Sequence, residues 1–208
     1  MKKLIIILLL LPLSMMAQVG SKEADALLDK AVAVIKNDAA LQMDYYYKVI
    51  DDDDTVVQQD KGVMKLDGER YALLMEKMKV WCNGKVQWSY MSDIDEIYIT
   101  DARSDEAQSL SPLVVMEKYR AGYTSSLEYR GDIAVVTMLS AEEEAEINKV
   151  ELFISKDNYR LSAMFVYMAG QGCIEVRMTN YAAKCRFSGK EYECPVKEFV
   201  TAEIVDMR

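Results

Sequence analysis

The sequence predicts an α+β protein built on a large antiparallel sheet of about 10 to 11 strands. A sheet of that width seldom stays open and flat, so we expect it to curl into an incomplete β-barrel. Two observations predict this fold. Hydrophobic residues recur at every second position from residue 42 onward, and turn signals rich in Gly and Asp separate these runs. Helical spacing is confined to two short segments, which we expect to cover the concave face of the sheet.

The first 17 residues have the features of a secretory signal peptide. Met1-Lys2-Lys3 is positively charged, residues 4–13 are almost entirely apolar, and Ala17-Gln18 offers a cleavage point after a small residue. The apolar run is too short to span a bilayer comfortably. We therefore expect cleavage after Ala17, export to the periplasm and a single domain over residues 18–208. An uncleaved membrane anchor is the alternative.

The first helix is predicted over residues 21–38. Ser21 has a side chain that can cap the N-terminus of the helix. The apolar residues that follow recur at helical spacing and form one stripe, which suits packing against a sheet. They are Ala24, Leu27, Leu28, Ala31 and Ile35.

Three strands are expected next, at residues 42–50, 55–66 and 70–76. Asp67-Gly68, between the second and the third, is a hairpin signal. Alternation along each strand places its large apolar side chains on a shared face. These side chains are Met43, Tyr45, Tyr47 and Val49 in the first strand, Met64 and Leu66 in the second, and Tyr71, Leu73 and Met75 in the third.

Asn83-Gly84 predicts a tight hairpin in the segment that contains both tryptophans. A two-residue turn at this dipeptide pairs Trp81 with Val86. The register then places a broad aromatic surface on one face of the hairpin. The surface consists of Trp81, Val86, Trp88 and Tyr90, and the next expected strand, at residues 95–100, adds Ile97 and Ile99.

A second helix is predicted to begin at Ser111-Pro112 and to end at Gly122. Leu113 and Met116 belong to its apolar first two turns. Strands then resume and continue towards the C-terminus. They are expected at residues 124–130, 132–139, 147–155, 159–168, 172–187 and 198–207.

The composition excludes several classes of function. The chain contains no histidine, which excludes triads and general bases that depend on His and the usual His-ligated zinc sites. Its formal net charge of -9 lacks the basic footprint of a protein that binds nucleic acid. The acidic run at residues 51–54 has neither the glycine nor the glutamate of a calcium-binding loop, and we expect it to be a solvated turn. We therefore predict a protein that is not an enzyme and that carries no cofactor and no metal ion.

Four cysteines, Cys82, Cys173, Cys185 and Cys194, lie in the part of the chain that is expected to be exported. Four cysteines allow three pairings, and the spacing does not choose between them. Cys185 and Cys194 flank a turn at residues 188–190 and are one candidate disulfide. Burial of all four as small hydrophobic side chains is the alternative.

Methionine is abundant, with 14 residues. Its flexible, polarizable side chain suits surfaces that must fit varied apolar partners. A concave sheet lined with methionine and aromatic residues, beneath helices that open, is expected to admit acyl chains. The expected lining is Met64, Leu66, Tyr71, Leu73, Met75, Trp81, Trp88, Tyr90, Ile97 and Ile99, with Leu113 and Met116 on the covering helix.

Several motifs, in their order along the chain, resemble the LolA-type outer-membrane lipoprotein carriers. They are Lys61-Gly62-Val63-Met64-Lys65-Leu66, Val80-Trp81-Cys82-Asn83-Gly84-Lys85, Trp88-Ser89-Tyr90, Asp95-Glu96-Ile97-Tyr98-Ile99 and Ser111-Pro112-Leu113. The resemblance implies an incomplete antiparallel β-barrel with helices on its concave side. It also implies a periplasmic carrier that accepts acylated lipoproteins or lipids from an inner-membrane lipoprotein-release complex. Such a carrier shields their acyl chains in an apolar cavity during transfer toward the outer membrane. We expect this carrier to be a monomer.

One departure from the family pattern affects the expected partners. Many proteobacterial members carry Lys-Arg-Pro after the glycine-led strand, and that arginine contributes to handover. This chain has Leu66-Asp67-Gly68-Glu69, with Arg70 displaced. The outer-membrane acceptor is therefore left open. The alternative function is an envelope sensor or adaptor of the same fold that acts through protein contacts, and a hydrolase with a carboxylate pair is a more distant alternative.

Overall fold

The computed structural model describes residues 16–37, 40–104, 122–142 and 144–208. These residues form one α-helix, one twelve-stranded sheet and two 3₁₀ turns. The helix α1 spans Met16–Asn37, and the 3₁₀ turns span Gly189–Tyr192 and Val196–Glu198. The strands are β1 (Leu41–Ile50), β2 (Val56–Asp67), β3 (Arg70–Met75), β4 (Met78–Cys82), β5 (Val86–Met91), β6 (Glu96–Asp101), β7 (Tyr123–Arg130), β8 (Ile133–Ser140), β9 (Ile147–Ser155), β10 (Leu161–Met168), β11 (Gly172–Ala182) and β12 (Glu203–Asp206).

The sheet runs in the order β12-β6-β5-β4-β3-β2-β1-β11-β10-β9-β8-β7. Most of it consists of antiparallel hairpins, and β1 lies near the centre because it pairs with both β2 and β11. β12 is the exception, since it runs parallel to β6. The predicted open, curled antiparallel sheet is confirmed, with twelve strands where about 10 to 11 were expected.

The helix α1 packs its apolar stripe against one face of the sheet. Leu28 is completely buried, and Ser125 Oγ on β7 donates a hydrogen bond to Asp25 Oδ1 at 3.2 Å. The helix begins at Met16 rather than at residue 21, so Ser21 lies within the helix and not at its N-cap. It therefore runs across the cleavage point predicted after Ala17.

The two faces of the sheet have different partners. We call the side that forms one core with α1 the helix face, and the opposite side the outer face. Directly opposed residues of two antiparallel strands share a face, so the register assigns every strand residue to one side. The helix-face core includes Met43, Met64, Leu73, Val80, Val136, Val150, Leu152, Val176 and Met178, together with Ala24, Leu28 and Ala31 of the helix.

After β11 the chain crosses the outer face instead of continuing as a strand to residue 187. We call residues 183–202, which contain both 3₁₀ turns, the C-terminal strap. Near its start Cys185 N donates to Ala40 O beside β1, at 2.9 Å. At its end Glu203 N donates to Asp95 O at 2.9 Å, and β12 adds to the far edge of the sheet. The strand expected at residues 198–207 is therefore limited to its last part.

The hairpin between β4 and β5 turns one residue later than predicted. Trp81 pairs with Trp88 rather than with Val86. Gly84 has a φ of 87°, and Asn83 Oδ1 accepts hydrogen bonds from the backbone N–H groups of the two residues after Gly84, each at 3.0 Å. This side chain fixes the turn. The pairing shifts by two positions, so every side chain stays on its predicted face of the hairpin.

The second predicted helix, with Leu113 and Met116, lies outside the described residues. Among the helices that are described, none combines the length and the apolar character needed to cross a membrane.

Candidate functional site

Five of the residues predicted to line a cavity lie together on the helix face, and each is at most 4% exposed. They are Met64, Leu66, Tyr71, Leu73 and Met75. β2 and β3 hold them side by side, because Met64 pairs with Leu73 and Leu66 pairs with Tyr71. All five belong to the apolar cluster that contains the stripe of α1. The alternation of the sequence therefore identified one continuous apolar surface.

The other described residues of the predicted lining lie on the outer face. They are Trp81, Trp88, Tyr90, Ile97 and Ile99. The register between β3 and β4 decides this, because Leu73 pairs with Val80 while Ala72 pairs with Trp81. The expectation that both groups line one surface is therefore wrong. Alternation fixes the faces within each strand, but the turn between the strands fixes which faces coincide.

The C-terminal strap packs against this aromatic group on the outer face. The ring centroid of Phe199 lies 5.8 Å from that of Trp81 and 4.4 Å from that of Tyr90. Tyr192 of the strap is completely buried beside Ala72. The aromatic group therefore forms one side of a small second core, and the C-terminal strap covers it.

Charged groups of β2 and β3 hold the strap at its first 3₁₀ turn. Lys65 Nζ lies 2.5 Å from Glu191 Oε2, and the hydrogen bond from this lysine holds the pKa of the Glu191 carboxyl below its ordinary value. The Arg70 guanidinium lies 5.0 Å from the ring centroid of Tyr192. Arg70 also forms an ion pair with Asp67.

A short row of polar side chains crosses the helix face on β3, β5 and β6. Tyr71 OH donates to Gln87 Oε1, and Gln87 Nε2 donates to Ser89 Oγ at 3.3 Å. Gln87 is opposed by Thr100 on β6, and these two residues are 3% and 8% exposed. Among the described residues, Thr100 Oγ1 has no hydrogen-bond partner. Burial raises the pKa of Tyr71, so its hydroxyl stays protonated at neutral pH.

Sequence reasoning missed Gln87 and Thr100. Both alternate with aromatic and aliphatic residues, and alternation alone predicts that the polar residues of such a strand face solvent. The signal that would have identified them is the same alternation read from the other face, because Cys82 pairs with Gln87 and Tyr71 pairs with Cys82.

A tyrosine and acid cluster borders the helix face further along β1 and β2. Burial raises the pKa of Tyr45 to about 12. Gln58 Nε2 donates to Tyr47 OH at 2.6 Å. The buried Asp60 carboxylate accepts hydrogen bonds from Lys77 N at 2.8 Å and from Lys61 N at 2.7 Å. The bond from Lys77 links the turn between β3 and β4 to β2.

A separate cavity of about 600 Å³ lies where the turns after β1 and β10 meet. Its lining mixes apolar side chains, such as Ile50 and Leu139, with three aspartates of the acidic run at residues 51–54. Lys149 Nζ lies 3.6 Å from the ring centroid of Tyr167, whose hydroxyl donates to Glu151 Oε2 at 2.8 Å. Lys149, Tyr167 and Glu151 therefore bind one another by hydrogen bonds and charge. Within the part of the chain that the structure describes, no group of three Cys, Asp or Glu residues is placed to hold a metal ion.

The four cysteines are free thiols in this structure. Burial raises the pKa of Cys194 to about 11 and also raises the pKa of Cys82. Both side chains are therefore protonated at neutral pH and act as small apolar groups.

Residues 13–171 match the family model described as outer membrane lipoprotein carrier protein LolA. The match covers more than half of the chain, and the chain therefore belongs to this LolA-like family. The matched region contains strands β1 to β10 and ends just before β11. The C-terminal strap therefore lies beyond it. No curated protein matches the chain.

Three solved structures are similar to this chain. An uncharacterized conserved protein from Thermus thermophilus has a TM-score of 0.59 and 10% identity, over 88% of this chain and 99% of that chain. A putative outer membrane lipoprotein-sorting protein domain from Vibrio parahaemolyticus has a TM-score of 0.47 and 8% identity, over 88% and 99%. The MucA/MucB complex from Pseudomonas aeruginosa has a TM-score of 0.44 and 10% identity, over 84% and 62%. At 10% identity, the likeness to the Thermus thermophilus protein shows the fold alone.

Proposed function

We propose that this protein is a periplasmic carrier that shields the acyl chains of lipoproteins, or of related lipids, against its helix face. The observation that carries the proposal is the continuous apolar cluster that the sheet and α1 form there. Methionines contribute to it from several strands, and their flexible side chains adapt to apolar partners of different shape. They are Met43, Met64, Met75, Met138, Met164 and Met178.

The energetics of acyl transfer suit a shield rather than a catalyst. Removing an acyl chain from water contributes about 0.8 kcal/mol per CH₂ group, so a chain of about 16 carbons gains on the order of 10 kcal/mol. Transfer from a bilayer to an apolar protein surface is close to neutral, because both environments exclude water. The relative affinities of donor and acceptor then set the direction of transfer.

An acyl chain at the helix face must take the place of side chains that now cover it. α1 supplies such side chains, since Leu27, Leu28 and Val32 are buried against the sheet. We infer that α1 moves away from the sheet when the ligand enters. Reversible release requires that this opening costs only a few kcal/mol.

The proposed partners are acylated lipoproteins or lipids and an inner-membrane lipoprotein-release complex. The signal-peptide pattern and the family support a periplasmic location. Arg70, the residue nearest to the family's handover arginine, is engaged by Asp67 and by the ring of Tyr192. We therefore assign no outer-membrane acceptor.

The carrier proposal is tested with two neighbouring residues on opposite faces of β3. Leu73 lies on the helix face, and Leu74, opposed by Lys79, lies on the outer face. We expect Leu73→Asn to weaken binding of a fluorescent acyl probe at least tenfold, because a polar amide then meets the chain. Leu74→Asn should leave the affinity within about twofold. Lipid that co-purifies with the mature wild-type protein, identified by mass spectrometry, should carry acyl chains.

Thermal unfolding of both variants is measured first, because Leu73 is almost completely buried and its replacement lowers stability. Equal binding by two folded variants, together with protein that carries no lipid, would contradict the proposal. An envelope sensor or adaptor that acts through protein contacts would then be favoured. One observation supports that second candidate, namely that the helix-face side chains pack tightly against α1 while the 600 Å³ cavity lies elsewhere.

A further inference from the structure

We propose that Thr100, with Gln87 beside it, is a subsite that binds the carbonyl group of an acyl ester or amide. The inference rests on the proposed function, because it specifies which acyl compounds the helix face takes. A chain attached through a carbonyl is preferred to the same chain attached through an ether. Hydrocarbon burial alone does not distinguish the two.

The register places both side chains on the ligand-binding side of the sheet. Thr100 opposes Gln87, Gln87 opposes Cys82, and Cys82 opposes Tyr71 in the apolar cluster. The hydrogen bond from Tyr71 OH to Gln87 Oε1 places the glutamine amide on the same face as the tyrosine. Ala102, two residues beyond Thr100, packs against the same cluster. Two polar groups are therefore adjacent at the border of an apolar surface.

The hydrogen-bonding state of these groups indicates an acceptor ligand. Thr100 Oγ1 is buried and has no partner among the described residues, which costs stability when nothing compensates for it. Gln87 Oε1 already accepts from Tyr71, whereas Gln87 Nε2 has two hydrogens and makes one long bond, 3.3 Å, to Ser89. The subsite thus offers a hydroxyl donor and an amide donor side by side. A carbonyl oxygen, with two lone pairs, accepts from both.

The position of the subsite also fits an acyl compound. The Gln87–Thr100 pair lies one step from the end of the β5–β6 ladder, where Val86 opposes Asp101. The apolar residues of β3, such as Leu73, extend from it along the face. A carbonyl at Thr100 directs the chain over these residues and the polar head towards the end of the sheet.

The test compares two lipids that differ only at the linkage, 1-palmitoyl-lysophosphatidylcholine and its 1-O-hexadecyl ether analogue. We expect the wild-type protein to bind the ester about fivefold more tightly, which is the contribution of one neutral hydrogen bond. Thr100→Val should lose this preference by weakening only the ester. Thr124→Val, a matched change at an exposed threonine of β7, should keep it. Both affinities are measured by titration calorimetry below the micellar concentration.

A second pair of variants separates the hydroxyl from the packing of the side chain. Thr100→Ser retains the hydroxyl and should retain the preference, whereas Thr100→Ala should lose it. Equal binding of ester and ether by the wild-type protein, or equal loss in Thr100→Ser and Thr100→Ala, would overturn the subsite while leaving the carrier function intact. Failure of both lipids to bind the wild-type protein would instead contradict the carrier function itself.

Discussion

At Gly62 the backbone of β3 leaves no room for a side chain on β2. A Cβ atom at this position would lie 2.0 Å from Leu74 O and 2.8 Å from Met75 Cα, both backbone atoms that cannot move aside. This close contact requires glycine at position 62, where the φ angle itself does not.

We therefore expect Gly62→Ala to lower the free energy of unfolding by more than about 2 kcal/mol, because the strands must separate to admit a methyl group. Gly189→Ala is the matched control, since a Cβ at Gly189 meets no atom within 4 Å. Urea unfolding of both variants provides the measurement. Equal midpoints for the two variants would show that β2 and β3 are less closely paired than their register indicates.

The sequence predicted such residues unevenly. Gly62 belongs to a motif that was recognised, but its contact with Leu74 depends on which strand lies alongside. Alternation by itself assigns Asp60 and Thr100 to the solvent side, and only the register with the neighbouring strands places them on the helix face. Their burial follows from the curl of the sheet and from neighbours that are distant in the sequence.

At the scale of elements, the sequence does not determine which faces of two neighbouring strands lie on the same side of the sheet. Alternation predicts the faces within β3 and within β4 correctly, yet the prediction that Leu73 and Trp81 share one face is wrong. β3 ends at Met75 and β4 begins at Met78, which leaves a two-residue turn at Glu76-Lys77. The register across this turn opposes Leu73 to Val80. A turn of any odd length would have brought the tryptophan to the other side.

The C-terminal strap is an element whose attachment depends on pH. Its ion pair with Lys65 lowers the pKa of Glu191, so the folded protein binds this proton less tightly than the unfolded chain does. The stabilisation is therefore present above the ordinary carboxyl pKa and is lost as the pH falls through the lowered pKa. Both side chains are partly exposed, which limits the contribution to below about 1 kcal/mol.

Glu191→Gln should accordingly reduce the free energy of unfolding by a few tenths of a kcal/mol to about 1 kcal/mol at about pH 7. The difference from wild type should shrink in acid, as the pH falls through the lowered pKa of the Glu191 carboxyl and this group gains its proton. Glu193→Gln, an exposed neighbour in the strap, is the control and should show little difference at either pH. A difference for Glu191→Gln that grew in acid would contradict the ion pair as its cause.

At the scale of the whole molecule, the fold class was predictable because it depends on the number and alternation of strands. The strap was not predictable, because apolar and polar residues continue to alternate after β11. This alternation predicts a longer strand instead of a segment that crosses the outer face. The pairing of β1 with β11 was not predictable either, because it joins residues such as Tyr47 and Val176 that are far apart in the sequence. This long-range pair joins the two halves of the open sheet and makes β1 a central strand.

The same topology predicts a gradient of stability across the molecule. β1 is paired along its length on both sides, by β2 and by β11, whereas β12 has four paired residues and one neighbour. Amide protons of β12 should therefore exchange with deuterium at least about tenfold faster than those of β1, because local opening at the edge breaks fewer contacts. Hydrogen exchange followed by mass spectrometry resolves the two segments. Equal protection of the two strands would contradict this gradient. It would mean that β12 and the central sheet open together as one cooperative unit. The expected gradient instead separates an edge that opens readily from a central sheet that holds the helix face in shape.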